Sequence, residues 1–295
     1  MTMGIGLVGA GAMGGAIGAR LLKMGCELTV FDLDNLKVDK LVAKGAVAAG
    51  SAAQVGARCE VIITSLNSSR IVELAAFGAD GIAEGAAPGG LIIDMSSIAP
   101  EATRDLAKRA TERGLAWVDS PLSGGAPKAA IGELTLMLGG EAEHVARAKL
   151  VLRHVASNIT YMGGPGAGQT TKLINQVLCG LGFLAVAEAT QLALDAGVEA
   201  TKIPLALKGG RADSSLLQEY MPRFATKDYR RTGRIDNMVK DLNMVNDLSR
   251  QTGTSMPLTA LCTEIHRMLT AAGLGGEDQA AVMEFFRGAK AEMAP

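Results

Sequence analysis

The chain has 295 residues, 48% of them apolar and only 9 prolines, so it is long enough for two compact domains and its composition excludes disorder. Its 29 Lys and Arg residues nearly balance 30 Asp and Glu residues, and no basic or aromatic-interleaved patch points to nucleic acid. No uninterrupted apolar run reaches the roughly 18 residues of a membrane span. The 4 scattered cysteines are typical of reduced thiols in a cytoplasmic protein.

A glycine-rich turn is the first predicted feature. The apolar run 4–8 reads as a buried strand that leads into this turn and then into a helix from Ala12 to about residue 24. Gly9 permits a sharp turn, Gly11 permits close approach of a pyrophosphate, and Gly14 lets the helix pack on the strand. The free N–H groups of the helix favour phosphate. The pattern predicts a dinucleotide site that includes Met13. A secretory signal, which lacks its basic region here, or a turn without a ligand are the alternatives.

An acidic residue follows the second predicted strand, residues 27–31. Asp32 lies 18 positions after Gly14, near the spacing of about 20 at which an acid accepts the adenosine ribose hydroxyls. A carboxylate at this position repels a 2′-phosphate. The sequence therefore predicts NAD in preference to NADP.

Further strands and helices alternate up to a cluster of breakers at 163–166, which is typical of an α/β Rossmann fold with a doubly wound parallel sheet. We predict this dinucleotide-binding domain over residues 1–164. Residues 165–295 then form an all-α domain that begins with a helix over 169–196, which is apolar nearly all round and is expected to be buried on most sides. The strands are predicted at 61–65, 91–94, 116–119, 134–138 and 159–161, and the later helices at 203–208, 215–224, 235–250, 258–272 and 278–290.

The small helical domain cannot cover this long interdomain helix on all sides, so the sequence predicts a homo-oligomer, either a homodimer or a homotetramer.

Ligands of an open parallel sheet bind beyond the carboxyl ends of its strands. Small and polar residues stand at these ends. The turn before Pro127 suits a substrate carboxylate, although a tight turn with a serine cap is an open alternative. The residues concerned are Leu66, Asn67, Ser97, Ser123, Gly124 and Gly125.

Two polar residues lie on one face of the interdomain helix. Lys172 and Asn175 are three positions apart, and a lysine at the start of an apolar helix suits proton transfer if it is buried. A solvated first-turn lysine is the alternative. No His or Cys pair has metal-ligand spacing, and no Ser, His and acid set appears in motif context.

Five motifs together resemble the β-hydroxyacid dehydrogenase family over nearly the whole chain: residues 9–14, 94–100, 119–125, 166–176 and 240–242. The resemblance implies that Lys172 is the general acid and that Asn175 orients the same substrate oxygen. It implies that the 123–125 turn holds the substrate carboxylate and that Lys240 closes over the nicotinamide. Leu66, Asn67 and Ser97 would line the cofactor.

Residues 208–214, 234–236 and 257–260 resemble the tartronate semialdehyde reductases within this family. That resemblance implies reduction of tartronate semialdehyde to D-glycerate, with 3-hydroxyisobutyrate or threonate as alternative substrates. A non-catalytic nicotinamide-binding scaffold is the alternative from another class. Asn67, Ser97 and Gly233 depart from the family pattern, which usually has proline, often threonine and an aromatic residue at these positions. Loss of the aromatic ring at Gly233 would widen the pocket.

Overall fold

The computed structural model describes residues 4–287. The chain divides into two compact units, unit 1 (Met1–Lys172) and unit 2 (Leu173–Pro295). The domain boundary expected after residue 164 stays a prediction.

Unit 1 is built on a nine-stranded sheet. Its strands are β1 (Ile5–Val8), β2 (Leu28–Phe31), β3 (Val47–Ala48), β4 (Val61–Thr64), β5 (Leu91–Asp94), β6 (Ala116–Asp119), β7 (Leu122–Ser123), β8 (Leu134–Gly140) and β9 (Ala156–Gly163). Their order is β3-β2-β1-β4-β5-β6-β8-β7, with β9 beside β8. The central strands β1, β4, β5 and β6 are buried at every position, because helices cover both faces. The predicted Rossmann sheet is confirmed.

The helices of unit 1 enclose two apolar cores, one on each sheet face. Val61 and Ile63 point to one core and Ile62 to the other, as the alternation of a strand requires. The helices are α1 (Ala12–Lys23), α2 (Asn35–Val42), α3 (Ala52–Arg58), α4 (Ser69–Phe77), α5 (Ile82–Gly85), α6 (Pro100–Glu112), α7 (Gly125–Ile131) and α8 (Ala142–Leu152).

The parallel pattern ends after β6. The strands from β1 to β6 pair in parallel, but β8 runs antiparallel to both β6 and β7. Beyond this reversal β8 pairs in parallel with β9, so β8 and β9 both run against the central strands. The two-residue strands β3 and β7 were not predicted from the sequence.

The described part of unit 2 consists of helices and loops, with one isolated β-bridge between Arg234 and Asp278, and it encloses its own core. Phe183, Tyr220, Phe224 and Leu242 are among the buried side chains at its centre. The helices are α9 (Ala167–Asp195), which starts in unit 1, and then α10 (Ile203–Leu207), α11 (Ser215–Thr226), α12 (Ile235–Thr252), α13 (Pro257–Leu269) and α14 (Met283–Phe286), with 3₁₀ turns at Ala200–Lys202 and Gln279–Val282 and a π-helical turn at Thr270–Leu274.

Helix α9 has one covered face and one open face. Leu173, Phe183 and Ala187 on one face are buried, whereas Ile174 and Leu178 are 56% and 69% exposed. By length and composition alone, the helix is long and apolar enough to cross a membrane. Only 28% of its most apolar 18-residue stretch is buried. The expectation that this helix is buried on most sides is therefore wrong within the single chain.

Candidate active site

The glycine turn after β1 has the tight geometry that the sequence predicts. Gly9 has φ +96°, and a Cβ there would lie 2.4 Å from the Ser65 carbonyl oxygen. A Cβ at Gly14 would lie 1.9 Å from the Gly9 carbonyl oxygen, so only glycine lets α1 approach the turn. A Cβ at Gly11 would meet no atom within 4 Å. Gly11 therefore borders open space, where a ligand can approach the backbone.

The N-terminus of α1 is suited to an anion. No side chain among residues 4–287 caps it, and its first turn, which includes Ala12 and Met13, contains no acidic residue. The backbone N–H groups of this turn thus remain free for phosphate oxygens, and the helix dipole adds positive potential. These observations fit the pyrophosphate of a dinucleotide.

Asp32 stands at the end of β2, beside the glycine turn. One carboxylate oxygen accepts a hydrogen bond from the Ala10 N–H at 2.7 Å, and the other accepts from the Asp34 N–H at 2.9 Å. The ammonium of Lys37 lies 3.7 Å away. The carboxylate is thereby fixed at the strand edge where a ribose would bind, with a cation close by.

The ends of β4 and β5 are joined by hydrogen bonds. The Leu66 N–H donates to Ser96 Oγ at 2.9 Å, and Thr64 Oγ1 donates to Asp94 Oδ1 at 2.8 Å. Asn67 is exposed, and Ser97 is half-buried. The structure thus places Leu66, Asn67 and Ser97 on adjacent loops at the carboxyl edge of the sheet.

Asp94 is a fully buried carboxyl group at this edge. Its Oδ1 also accepts from the Ser96 N–H at 3.1 Å, but Oδ2 has no hydrogen-bond partner among residues 4–287. Burial raises the pKa of Asp94 to about 6, and the nearby Asp119 adds to the rise. The hydrogen bonds from Ser96 and Thr64 oppose it. Asp94 and Asp119 are register partners on β5 and β6.

The predicted carboxylate turn is formed by two glycines with unusual backbone angles. Gly124 has φ +118° and Gly125 has φ +68°, a region that side chains disfavour. Ser123 is half-buried at the end of β7, where it pairs with Thr135 of β8. The turn is open enough for its backbone N–H groups to meet a ligand, because Gly124 is exposed.

The first turn of α9 is held by a side chain from β6. Asp119 is fully buried, and its Oδ1 accepts from the Gly166 N–H at 2.9 Å while its Oδ2 accepts from the Gln169 N–H at 3.0 Å. Burial raises the pKa of Asp119, and the hydrogen bonds from Gly166 and Gln169 oppose that rise. A carboxylate at a helix N-terminus also interacts favourably with the helix dipole.

Gln169 makes a second connection between α9 and the sheet edge. Its Oε1 accepts from the Ile98 N–H at 3.2 Å, and its Nε2 donates to the Ser96 carbonyl at 2.8 Å. Lys172 is half-buried and follows Gln169 by three residues, about one helical turn. The Lys172 side chain therefore starts close to the loops that follow β5 and β6.

In unit 2, hydrogen bonds connect Asn175 with α12. Asn175 Nδ2 donates to Gln176 Oε1 at 2.9 Å, and Gln176 Nε2 donates to Asp241 Oδ2 at 2.6 Å. The other Asp241 oxygen lies 3.2 Å from the ammonium of Lys240. The structure thus brings two predicted site residues, Asn175 and Lys240, into one polar network through Gln176 and Asp241.

Gly233, where the family pattern has an aromatic residue, lies in a segment held by Asp278. This fully buried carboxylate accepts from the N–H groups of Thr232 and Gly233 and lies 2.9 Å from the guanidinium of Arg223. A Cβ at Gly233 would meet no atom within 4 Å. The glycine therefore leaves free space that a side chain could occupy.

Four residues that make these connections, Asp119, Gln169, Gln176 and Asp241, lie within the family motifs but were not predicted as site residues. The signal was present in part, since Asp119 heads the 119–125 motif and Gln169 precedes Lys172 by one turn. Their hydrogen-bond partners are 47 to 73 residues away in sequence, so no local pattern indicates them.

Comparison with known proteins agrees with this geometry. Residues 4–163 match the NAD binding domain of 6-phosphogluconate dehydrogenase, and residues 166–286 match the NAD-binding domain of NADP-dependent 3-hydroxyisobutyrate dehydrogenase. The L-threonate dehydrogenase of Cupriavidus necator is 35% identical over 98% of this chain and 97% of its own length. The 2-hydroxy-3-oxopropionate reductase of Escherichia coli is 32% identical over 96% of both chains.

A solved structure extends the similarity to the fold. The 3-hydroxyisobutyrate dehydrogenase of Salmonella typhimurium superposes with a TM-score of 0.87 at 32% identity, and the match covers 96% of this chain and 100% of the other. Sequence and fold thus agree along nearly the whole length. The chain therefore belongs to the β-hydroxyacid dehydrogenase family and is an NAD(P)-binding hydroxyacid dehydrogenase.

Proposed function

We propose that this protein reduces tartronate semialdehyde to D-glycerate with NADH, by proton transfer from Lys172. The observation that carries the proposal is the connection of α9 to the loops of the sheet edge through Gln169 and Asp119. Because of this connection, the Lys172 side chain starts beside the edge at which the ligands of open parallel sheets bind. A half-buried lysine there suits general acid catalysis better than a solvated one.

The remaining roles follow from the family resemblance. Bound nicotinamide supplies the hydride, and Lys172 Nζ donates the proton to the aldehyde oxygen. Asn175 would orient that oxygen, and Lys240 would help to hold the nicotinamide. The backbone of the 123–125 turn and the Ser123 hydroxyl bind the substrate carboxylate. In the direction of oxidation, Lys172 accepts the hydroxyl proton.

Asp32 supports NADH as the preferred cofactor. Its carboxylate is fixed by Ala10 and Asp34 where it can accept two ribose hydroxyls, and it repels a 2′-phosphate. Lys37, at 3.7 Å, offsets part of that repulsion. We therefore expect a preference for NADH together with measurable activity with NADPH.

A substrate and cofactor panel tests this proposal. We expect NADH-dependent reduction of tartronate semialdehyde and, among the acids oxidised with NAD, the highest kcat/KM for D-glycerate, above the values for L-threonate and 3-hydroxyisobutyrate. Differences between such similar acids are expected to be roughly 10-fold to 200-fold. A higher kcat/KM on L-threonate or 3-hydroxyisobutyrate would overturn the substrate and leave the reaction class intact. Absence of turnover with every acid and both cofactors would contradict the catalytic proposal itself.

We infer that the open face of α9 binds a second copy of this chain. Ile174, Leu178, Ala185 and Leu192 recur on this face at nearly heptad spacing, and all four are exposed. A single apolar helix face is self-complementary in a two-fold dimer, where the same patch meets itself. With four free cysteines, we place this oligomer in the cytoplasm.

Sedimentation measures this association. The wild-type protein is expected to sediment as a dimer or larger species at micromolar concentration, and Leu178→Glu combined with Leu192→Glu should shift it to monomer, because each buries a charge without a partner. Leu74→Glu on α4, where the leucine is 55% exposed, is the matched control and should leave the oligomer intact. A monomeric wild-type protein would contradict the inference.

A further inference from the structure

The N-terminal turn of α9 is fixed by two buried side chains, Asp119 from β6 and Gln169 of the turn itself. Asp119 is the acceptor for the N–H groups of Gly166 and Gln169, which as first-turn donors have no acceptor within the helix. The carboxylate comes from the end of β6 and is fully buried. The position of this turn therefore depends on β6.

The space around the carboxylate is closely fitted. A Cβ at Gly139 would lie 2.6 Å from Asp119 Oδ1, and a Cβ at Gly168 would lie 2.7 Å from Asp119 Oδ2. The same Cβ at Gly168 would lie 2.3 Å from the Met137 carbonyl oxygen. Both glycines thus let α9 and β8 come close enough to enclose the charge, and the carboxylate has little room to move.

Gln169 fixes the same turn in a second direction. It is 1% exposed, and both ends of its amide bind the backbone of the loop after β5, at Ile98 and Ser96. Ser96 Oγ in turn accepts from the Leu66 N–H. Two independent contacts, one to β6 and one to the β5 loop, therefore set both the axial position and the rotation of α9 at its start.

We propose that Asp119 and Gln169 are positioning residues for Lys172, which follows on the next turn of the same helix. This inference rests on the proposed role of Lys172 as the general acid. Asp119 also precedes the Ser123–Gly125 turn by four residues, so it connects the proton donor with the turn assigned to the substrate carboxylate. Neither residue transfers a proton. They hold the ammonium at the distance that the proton transfer requires.

Asp119→Asn tests the proposal with little change in volume. The amide keeps one acceptor oxygen, so either Gly166 or Gln169 loses its acceptor and the helix N-terminus loses a charge. We expect kcat to fall roughly 10-fold to 100-fold, since a displacement of about 1 Å can cost 10²-fold, while KM for NADH changes little. Amide hydrogen exchange over residues 166–172 should become faster in the variant, with or without cofactor.

A double-mutant cycle separates positioning from general destabilisation. In a Lys172→Ala background, Asp119→Asn should lower kcat by less than about twofold, because coupled residues act as a unit. Leu106→Ala, a cavity in the core under α6, is the control that lowers stability without changing kcat. Gln169→Met should reproduce the loss of kcat, and it decides the question if Asp119→Asn does not fold.

An unchanged kcat in folded Asp119→Asn or Gln169→Met, with only a lower Tm, would overturn the inference. So would a loss of kcat that persists in the Lys172→Ala background. Wild-type activity in Lys172→Ala itself would instead contradict the proposed function, which keeps the two failures distinct.

Discussion

Lys172→Ala is expected to lower kcat/KM for the reduction roughly 10²-fold to 10⁴-fold, the usual contribution of a positioned general acid. Without the ammonium, the developing alkoxide takes its proton from water, which is neither oriented nor matched in acidity. The expected loss lies mainly in kcat, since the proton is transferred only in the transition state. Steady-state kinetics with saturating NADH measures it.

Two measurements distinguish loss of the proton donor from misfolding of the variant. NADH binding, followed by nicotinamide fluorescence, should be nearly unchanged, because the substitution leaves the glycine turn and Asp32, which are assigned to the pyrophosphate and the ribose, intact. Lys108→Ala, which removes an exposed lysine of α6 in the same unit, should retain wild-type kcat/KM. Retention of wild-type turnover by a folded Lys172→Ala protein would sink the lysine mechanism.

Asp94→Asn is expected to stabilise the protein at pH 8 by about 1 to 3 kcal/mol and to have a much smaller effect near pH 4. Burial raises the pKa of Asp94 from 3.8 to about 6, so between these values the folded state holds a proton that the unfolded state releases. The contribution of Asp94 to stability therefore falls as pH rises from about 4 to 6 and stays reduced above that window. Asparagine keeps the acceptor for Thr64 and Ser96 and carries no charge.

Denaturant unfolding at several pH values from 4 to 8 tests this difference. The difference in the free energy of unfolding between Asp94→Asn and wild type should grow as pH rises through the titration of Asp94. Asp39→Asn, at an exposed site on α2, should show the same pH dependence as wild type. A difference in the free energy of unfolding that is the same at all pH values would show that the two side chains differ in packing rather than in charge.

The parts of the site with local signals were predictable. Gly9 and Gly14 each meet a steric demand of the turn and Gly11 leaves open space beside it, so the spacing of the three glycines indicates the fold around them. Asp32 follows from its place after β2. The parallel strands were recognised from short apolar runs, because a strand covered on both faces must be apolar throughout.

The parts that depend on distant contacts were not predictable. The helix expected over 278–290 is instead a 3₁₀ turn and the short α14, and Asp278 at its start binds the distant backbone at Thr232 and Gly233; residues 288–290 lie outside the described residues. The exposed face of α9 is apolar like its buried face, so composition could not distinguish them. Only the packing of unit 2 separates the two faces.

The capping of α9 by Asp119 also bears on the order in which unit 1 folds. The carboxylate and its donors are 47 and 50 residues apart in sequence, so closing this loop costs chain entropy before any bond forms. A helix nucleates poorly where its first turn lacks acceptors. We therefore expect the turn that precedes Lys172 to become ordered only once β6 is in place, so that the proton donor is completed late in the folding of unit 1.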